Sequence, residues 1–210
     1  MVEMKDVCLN IGGKQLFNSL SFIAKEGDIF CISGAEGCGK SSLLRTFIGL
    51  QQPTSGFVSI DGELITPLSA PYFRKQIAYL PQDLNLQATT VADLFNTLAT
   101  LRTNTARQLS KNKLLTDWQQ LDVAGNMWNQ PLQNINRSTL QRILLSITVA
   151  PIKSILLLDE PASEQDDKGA KLVKNYISRL RNEQSIIIIA TNDSQITSIC
   201  NKHIVLENQS

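Results

Sequence analysis

The 210-residue chain holds a single histidine, His203. That excludes a multi-histidine zinc site and leaves any Ser-His-Asp catalyst to be built on one imidazole. Its four cysteines, Cys8, Cys31, Cys38 and Cys200, include no C-x-x-C pair, and the first residues, MVEMKDVCLN, have no secretory apolar stretch. The expectation is a cytosolic chain with reduced thiols. Long hydrophobic runs are missing too: ILLSITVAPI (Ile143 to Ile152) and SIIIIAT (Ser185 to Thr191) fall short of the roughly 18 residues that span a bilayer, so no direct membrane insertion is expected. Charge of one sign is also absent. With 20 Lys plus Arg against 19 Asp plus Glu there is no global field to attract nucleic acid or an anionic membrane. No internal repeat, low-complexity tract or Gly/Pro linker is present. What remains, 42% hydrophobic and 19% charged, is the composition of a globular protein, and the length suits one large domain or a domain with an inserted lobe.

Two kinds of strand are written into the chain. Val2 to Leu9, Leu20 to Ala24 and FVSIDGEL around Asp61-Gly62 suggest antiparallel strands. DIFCISG (Asp28 to Gly34), QIAYL (Gln76 to Leu80), SILLLDE (Ser154 to Glu160) and SIIIIAT are continuous apolar runs, as for strands covered on both faces of a parallel sheet, and HIVLE is a last strand. Helical spacing occurs at Leu43, Leu44, Phe47 and Ile48, at Leu140, Ile143, Leu144 and Ile147, and at Val173, Tyr176, Ile177 and Leu180. The fold class is therefore α/β. Between Gln82 and Asn136 the chain turns polar and Asn/Gln/Thr-rich, with helical pieces at Val91 to Leu101 and Lys113 to Leu121. This predicts a helical lobe, residues 83–150, inserted into a core of residues 1–82 and 151–210, the two moving as hinged parts of one domain.

After the DIFCIS strand comes GAEGCGKSS: Gly34, Ala35, Glu36, Gly37, Cys38, Gly39, Lys40, Ser41 and Ser42. It fits G-x-x-x-x-G-K-[ST], with strand before and helical pattern after. Loop N–H groups approach phosphate oxygens, Lys40 meets the β and γ phosphates, and Ser41 can ligate magnesium. The run ILLLDEP puts Asp159 and Glu160 at the carboxyl end of a buried strand, where α/β sheets bind ligands. Asp159 suits magnesium held through water, and Glu160 suits a general base on the attacking water.

In their order these motifs resemble the nucleotide-binding subunit of ATP-binding-cassette (ABC) transporters over essentially the whole chain. The resemblance implies a P-loop NTPase fold of ABC ATPase type, a mixed sheet with an antiparallel β subdomain and a helical lobe. It places Gln82 of AYLPQD as the Q-loop glutamine and a metal ligand, Glu160 as catalytic, and Asp166 of SEQDD in the D-loop. It also implies ATP and Mg2+ as cofactors, ATP hydrolysis coupled to transport, and a head-to-tail dimer in which each ATP meets the other subunit's signature loop. A membrane permease would hold the chain at the inner face of the membrane.

Three positions depart from the family pattern. The LSGGQ signature is replaced by INRST: after Ile135, Asn136 can still cap a helix or donate to phosphate, while Arg137, Ser138 and Thr139 add side chains where close approach is needed. Arg137 either weakens that loop or acts as an arginine finger in trans. Asn192 occupies the place of the switch histidine and can hydrogen-bond a γ-phosphate without carrying charge. Ile11 stands where an aromatic residue stacks on adenine, keeping apolar contact only. A homodimer would carry both altered motifs at each site, whereas a heterodimer would divide them. The expectation is an ATPase that is slow alone, with a permease or unlike partner restoring turnover. The alternative is an ATP-gated regulatory or structural module, against which retained Glu160 and Gln82 argue. A nucleic-acid ABC protein lacks a coiled-coil insertion, tandem cassette or basic stripe, and a small-molecule kinase lacks an Arg-rich lid. Cys38 is either a redox-sensitive thiol or a small tolerated side chain. Trp118 and Trp128 either pack the lobe or touch a permease, and His203 is a structural or surface residue.

Overall fold

The computed structural model describes residues 1–83, 88–100 and 109–207. Strands β1 (Val2–Ile11) and β2 (Lys14–Ala24) form a hairpin, β3 (Ile29–Gly34) leads into helix α1 (Lys40–Thr46), and β4 (Ser55–Ile60) and β5 (Glu63–Leu64) follow. After α2 (Ala70–Phe73) and β6 (Ile77–Leu80) come α3 (Val91–Thr100), α4 (Lys111–Gln120), two 3-10 turns (Gly125–Asn129 and Leu132–Asn134) and α5 (Arg137–Val149). The chain continues through β7 (Ile155–Asp159), α6 (Asp167–Leu180), β8 (Ile186–Ala190), α7 (Ser194–Thr197) and β9 (Lys202–Leu206). Leu101, the end of one predicted helix, lies outside the described residues.

The strands segregate by type. β2-β1-β4-β5 make a four-stranded antiparallel sheet, and β6-β7-β8-β3-β9 make a five-stranded sheet whose pairs are all parallel. The antiparallel subdomain and the core are thus separate sheets: β1–β2 and β4–β5 are hairpins joined by short turns, whereas β6, β7 and β8 are linked through helical crossovers. Ile155 and Leu157 of β7 and Ile186 and Ile188 of β8 face one apolar cluster, together with Val7, Leu9, Leu43 and Phe47. Their neighbours Leu156, Leu158, Ile187 and Ile189 face another, with Ile143, Val173 and Ile177. Burial on both faces explains why these strands are continuous apolar runs rather than alternating ones.

The helical lobe packs onto the second of these clusters. Phe95, Leu114, Trp118 and Leu132 belong to the same buried group as the sheet's Leu156 and Leu158. Trp118 is fully buried, its indole N–H donates to Ser146 Oγ at 3.0 Å, and it lies tilted against Trp128. Trp118 thus packs the lobe, while Trp128 is half-buried against it and Phe95. α5 begins at an Asn136 cap, whose Oδ1 accepts from Thr139 N at 2.8 Å, and runs beneath the sheet toward the start of β7. The helix thus connects the lobe to the strand that carries Asp159.

Candidate active site

Residues from five separate segments meet at a cavity of about 650 Å³ beyond the carboxyl ends of β3, β7 and β8. Ile11 and Leu16 come from the β1–β2 hairpin, Glu36, Gly37 and Gly39 to Ser42 from the loop and start of α1, and Gln82 from after β6. Glu160 and Asn192 follow β7 and β8. A parallel sheet places all these strand ends on one edge, which is why residues far apart in sequence converge. Gly39 opens α1 at φ 102°, and a Cβ there would lie 3.1 Å from the Leu16 side chain, so the loop needs glycine at that turn.

Lys40 is mostly buried, and its ammonium donates to the carbonyls of Gly34 at 2.8 Å and Ala35 at 3.5 Å. It also lies 3.7 Å from Glu160 Oε1. The other carboxylate oxygen of Glu160 accepts from Thr191 Oγ1 at 2.9 Å. Thr191 was not singled out from sequence, although its place after the strand, beside Asn192, was the available signal. Glu160 has φ 47°, and its N–H donates to Ala190 O at 2.8 Å, which seats this strained residue against β8.

Asp159 is 1% exposed. Its Oδ2 accepts from Tyr79 OH at 3.4 Å, while Oδ1 is buried with no hydrogen-bond partner. Burial pushes the Asp159 carboxyl above the ordinary carboxylate range. The neighbouring Glu160 acts in the same direction, and the Ser41 hydroxyl, Arg45 and Tyr79 oppose it. A buried acidic oxygen left open beside a hydroxyl is the donor set that a hard cation with phosphate ligands uses, so these residues fit magnesium.

Asn192 is held in a way the sequence did not reveal. Its Oδ1 accepts from Gly34 N at 3.0 Å and its Nδ2 donates to Gly34 O at 2.8 Å, which bridges β8 to the first residue of the phosphate loop. His203 lies on exposed β9 with Nε2 2.7 Å from Ser33 Oγ, away from the cavity lining. Cys38 is 2% exposed and packs in the core, which favours the small-side-chain reading. The Asn136 to Thr139 turn and Asp166 do not line the cavity. Asn136 caps α5, and Asp166 caps α6 by accepting from Gly169 N at 2.7 Å.

A family model for ABC transporters matches residues 17–163, more than half of the chain. The chain belongs to the ABC transporter family. An uncharacterized ABC transporter ATP-binding protein of Haemophilus influenzae is 27% identical to this cassette over 213 aligned positions, covering 100% of this chain and 81% of its own. The probable iron export ATP-binding protein FetA of Escherichia coli is also 27% identical, over 99% of this chain and 91% of its own. Among solved structures, the dimeric form of the bacterial ABC transporter cassette MJ0796 superposes with a TM-score of 0.84 at 20% identity, over 99% of this chain and 95% of that one. The subunit cbiO1 of Clostridium perfringens gives 0.77 at 21% identity, over 98% and 84%. At such identities the superpositions establish the ABC fold, with its antiparallel subdomain and parallel core sheet. Among the described residues of the cassette no helix is long and apolar enough to cross a membrane.

Proposed function

We propose that this cassette binds Mg-ATP in the cavity between the phosphate loop and Glu160, hydrolyses it slowly when alone, and couples the cycle to a membrane permease. The observation that carries the reading is the convergence of Lys40, the open Oδ1 of Asp159 and Glu160 at the carboxyl edge of one sheet. The loop N–H groups of Gly37 to Ser41 bind phosphate oxygens, and the Lys40 ammonium exchanges its carbonyl partners for the β and γ phosphates. Ile11 and Leu16 supply an apolar wall for the base. Ser41, Asp159 and Gln82 would hold magnesium, which when bound neutralises phosphate charge and orients the triphosphate. Glu160, braced by Thr191, accepts the proton of the attacking water as its oxygen bonds to the γ-phosphorus and the bond from that phosphorus to the β–γ bridging oxygen breaks, releasing ADP and phosphate.

The engagement of two side chains supports slow turnover in isolation. Glu160 is paired with Lys40 and Thr191, and both ends of the Asn192 amide are bonded to Gly34 rather than free to hold water. Supply of the opposite face by a second ABC subunit, like or unlike, would complete the site, with the Asn136 turn and Asp166 contributing in trans. The relatives support a permease partner, because FetA is a probable iron export ATP-binding protein and cbiO1 is part of the cbiONQ transporter complex. The cassette would then sit in the cytoplasm against the inner face of the membrane through that permease. Engagement of Asn192 with Gly34 also favours a second reading, an ATP-gated regulatory module that closes without turnover.

ATPase activity of the purified chain, with and without membrane extract containing its partner, separates the two. Slow hydrolysis, stimulated by the extract and reduced by about 10²- to 10⁴-fold in Glu160→Gln, is the expected result. Fast hydrolysis by the pure chain would overturn the slow-enzyme proposal. Tight ATP binding with no turnover under either condition would move the assignment to the regulatory module.

A further inference from the structure

The residues that depart from the family signature are engaged within their own subunit. Ser138, in the first turn of α5, donates from its hydroxyl to Gln165 Oε1 at 2.9 Å, and its carbonyl accepts from Gln165 Nε2 at 2.9 Å. The same Nε2 donates to Gln141 Oε1 at 2.8 Å. Gln141 in turn donates to the carbonyl oxygen of Glu160 at 3.1 Å, and its Oε1 accepts from Glu164 N at 3.2 Å. Arg137 and Glu164 add an exposed ion pair at 3.4 Å over the same seam.

The groups are matched in number and kind. Each hydrogen of the Gln165 amide has an acceptor and its oxygen has a donor, so the side chain is bound on three sides rather than laid on a surface. A second observation comes from α6. A Cβ added at Gly169 would lie 2.5 Å from Gln165 Oε1, 3.1 Å from the capping Asp166 Oδ1 and 3.2 Å from Gln165 Cβ, although alanine is otherwise the better helix former at a buried position. The helix therefore carries glycine where the Gln165 side chain crosses it. At the far end of the chain of bonds, Gln141 grips the carbonyl of a residue whose φ of 47° is sustained only by its surroundings.

We infer that Gln165 is a positioning residue which, through Gln141, ties the first turn of α5 to the backbone of Glu160, so that displacement of that turn reorients Glu160. The catalytic consequence rests on the reading of Glu160 as the base, but the tie itself does not. Pressure on the Asn136 turn, from nucleotide or from a partner subunit, is carried to Glu160 by hydrogen bonds of one subunit alone. INRST is thus also engaged within its own chain, through Ser138 and, at an exposed ion pair, through Arg137 and Glu164.

The tie is tested without hydrolysis by amide hydrogen exchange on the full chain. Gln165→Leu is expected to lower protection of the Thr139 and Glu164 amides together, by about tenfold, with the melting temperature held within about 2 °C. Gly169→Ala, which displaces the Gln165 amide and crowds the Asp166 cap while favouring the helix interior, should produce the same joint loss. Loss of protection confined to the Glu164 side in both variants would overturn the inference. In hydrolysis, both variants should show kcat lowered by about tenfold with KM for ATP within about twofold, because binding groups are untouched while the base is misplaced. A Gln141→Ala, Gln165→Leu double variant should fall no further than the lower of the two single variants, and additive losses would refute action in series. If the wild-type chain binds ATP but never hydrolyses it, the assignment of Glu160 fails while the exchange result still decides the tie.

Discussion

Asn192 shows how a residue's partners redefine the role its position suggests. An amide can stand in for an imidazole toward phosphate, but here both of its polar atoms are bound to one peptide unit at the mouth of the phosphate loop. Two hydrogen bonds of about 1 kcal/mol each brace Gly34, so Asn192→Ala should weaken ATP binding by about fivefold or more while kcat changes less. Steady-state kinetics would separate this from a water-holding role, which would lower kcat at constant KM. Asp28 anchors the other end of the same strand. Burial by itself would raise its pKa, but Lys202 at 2.8 Å, the Lys25 N–H at 2.7 Å and Asn201 Nδ2 at 2.9 Å outweigh burial and lower it. A depressed folded value means that the unfolded chain binds the proton more tightly, so this stability is present above the ordinary 3.8 and lost as pH falls through the folded value. Asp28→Asn should therefore cost about 1–2 kcal/mol at neutral pH, and the gap to wild type should close in denaturant titrations stepped below pH 3.8.

At the scale of the element, α5 joins two functions. Its buried face, including Ile143, Leu144 and Ile147, packs under the sheet, while its first turn carries Arg137, Ser138 and Thr139. The helix is held at its start by the Asn136 cap and at Arg142, whose Nη1 donates to Leu121 O at 2.7 Å. Asn136→Ala should destabilise the protein by about 1 kcal/mol, and Asn136→Ser should restore most of that, since serine also caps. Equilibrium unfolding measures this directly, and an equal loss in both variants would show that the Asn136 side chain is needed for something other than capping. The helix was legible in the 3.6-residue spacing of Leu140, Ile143, Leu144 and Ile147. The partners of its first turn were not, because Glu164 and Gln165 follow a different strand and meet Arg137 and Ser138 only once β7 lies beside α5.

For the whole molecule, the cavity has walls from the hairpin, the phosphate loop and the strand ends, but the Asn136 turn lies off it. On the proposed reading the site is completed by a second subunit, so specific activity of the isolated chain should rise with protein concentration and an ATP-dependent dimer should appear in sedimentation. A monomer with concentration-independent ATPase activity would contradict this. An unlike partner that carries a regular signature should give higher activity than the homodimer, because each altered motif is then confined to a different site. Trp118 is fully buried in the cluster shared by lobe and sheet. Replacement of that indole by alanine would cost about 3–5 kcal/mol and damage both lobe and sheet packing.

The sequence by itself determined the α/β alternation, the parallel core strands, the phosphate loop and the acidic strand end. Each of these is local: a hydrophobic period, a glycine spacing, or two carboxylates at the end of an apolar run. The division into two sheets, the open oxygen of Asp159, the grip of Asn192 on Gly34 and the bonds from Ser138 to Glu160 were decided only by tertiary structure. Hydrogen bonds are directional and short-ranged, and their partners here lie on separate strands and loops that become neighbours only when the sheet has formed. A motif can thus assign phosphate chemistry to Lys40 and Glu160, but whether Arg137 and Asn192 face a nucleotide or their own backbone depends on which chain segments the fold places beside them.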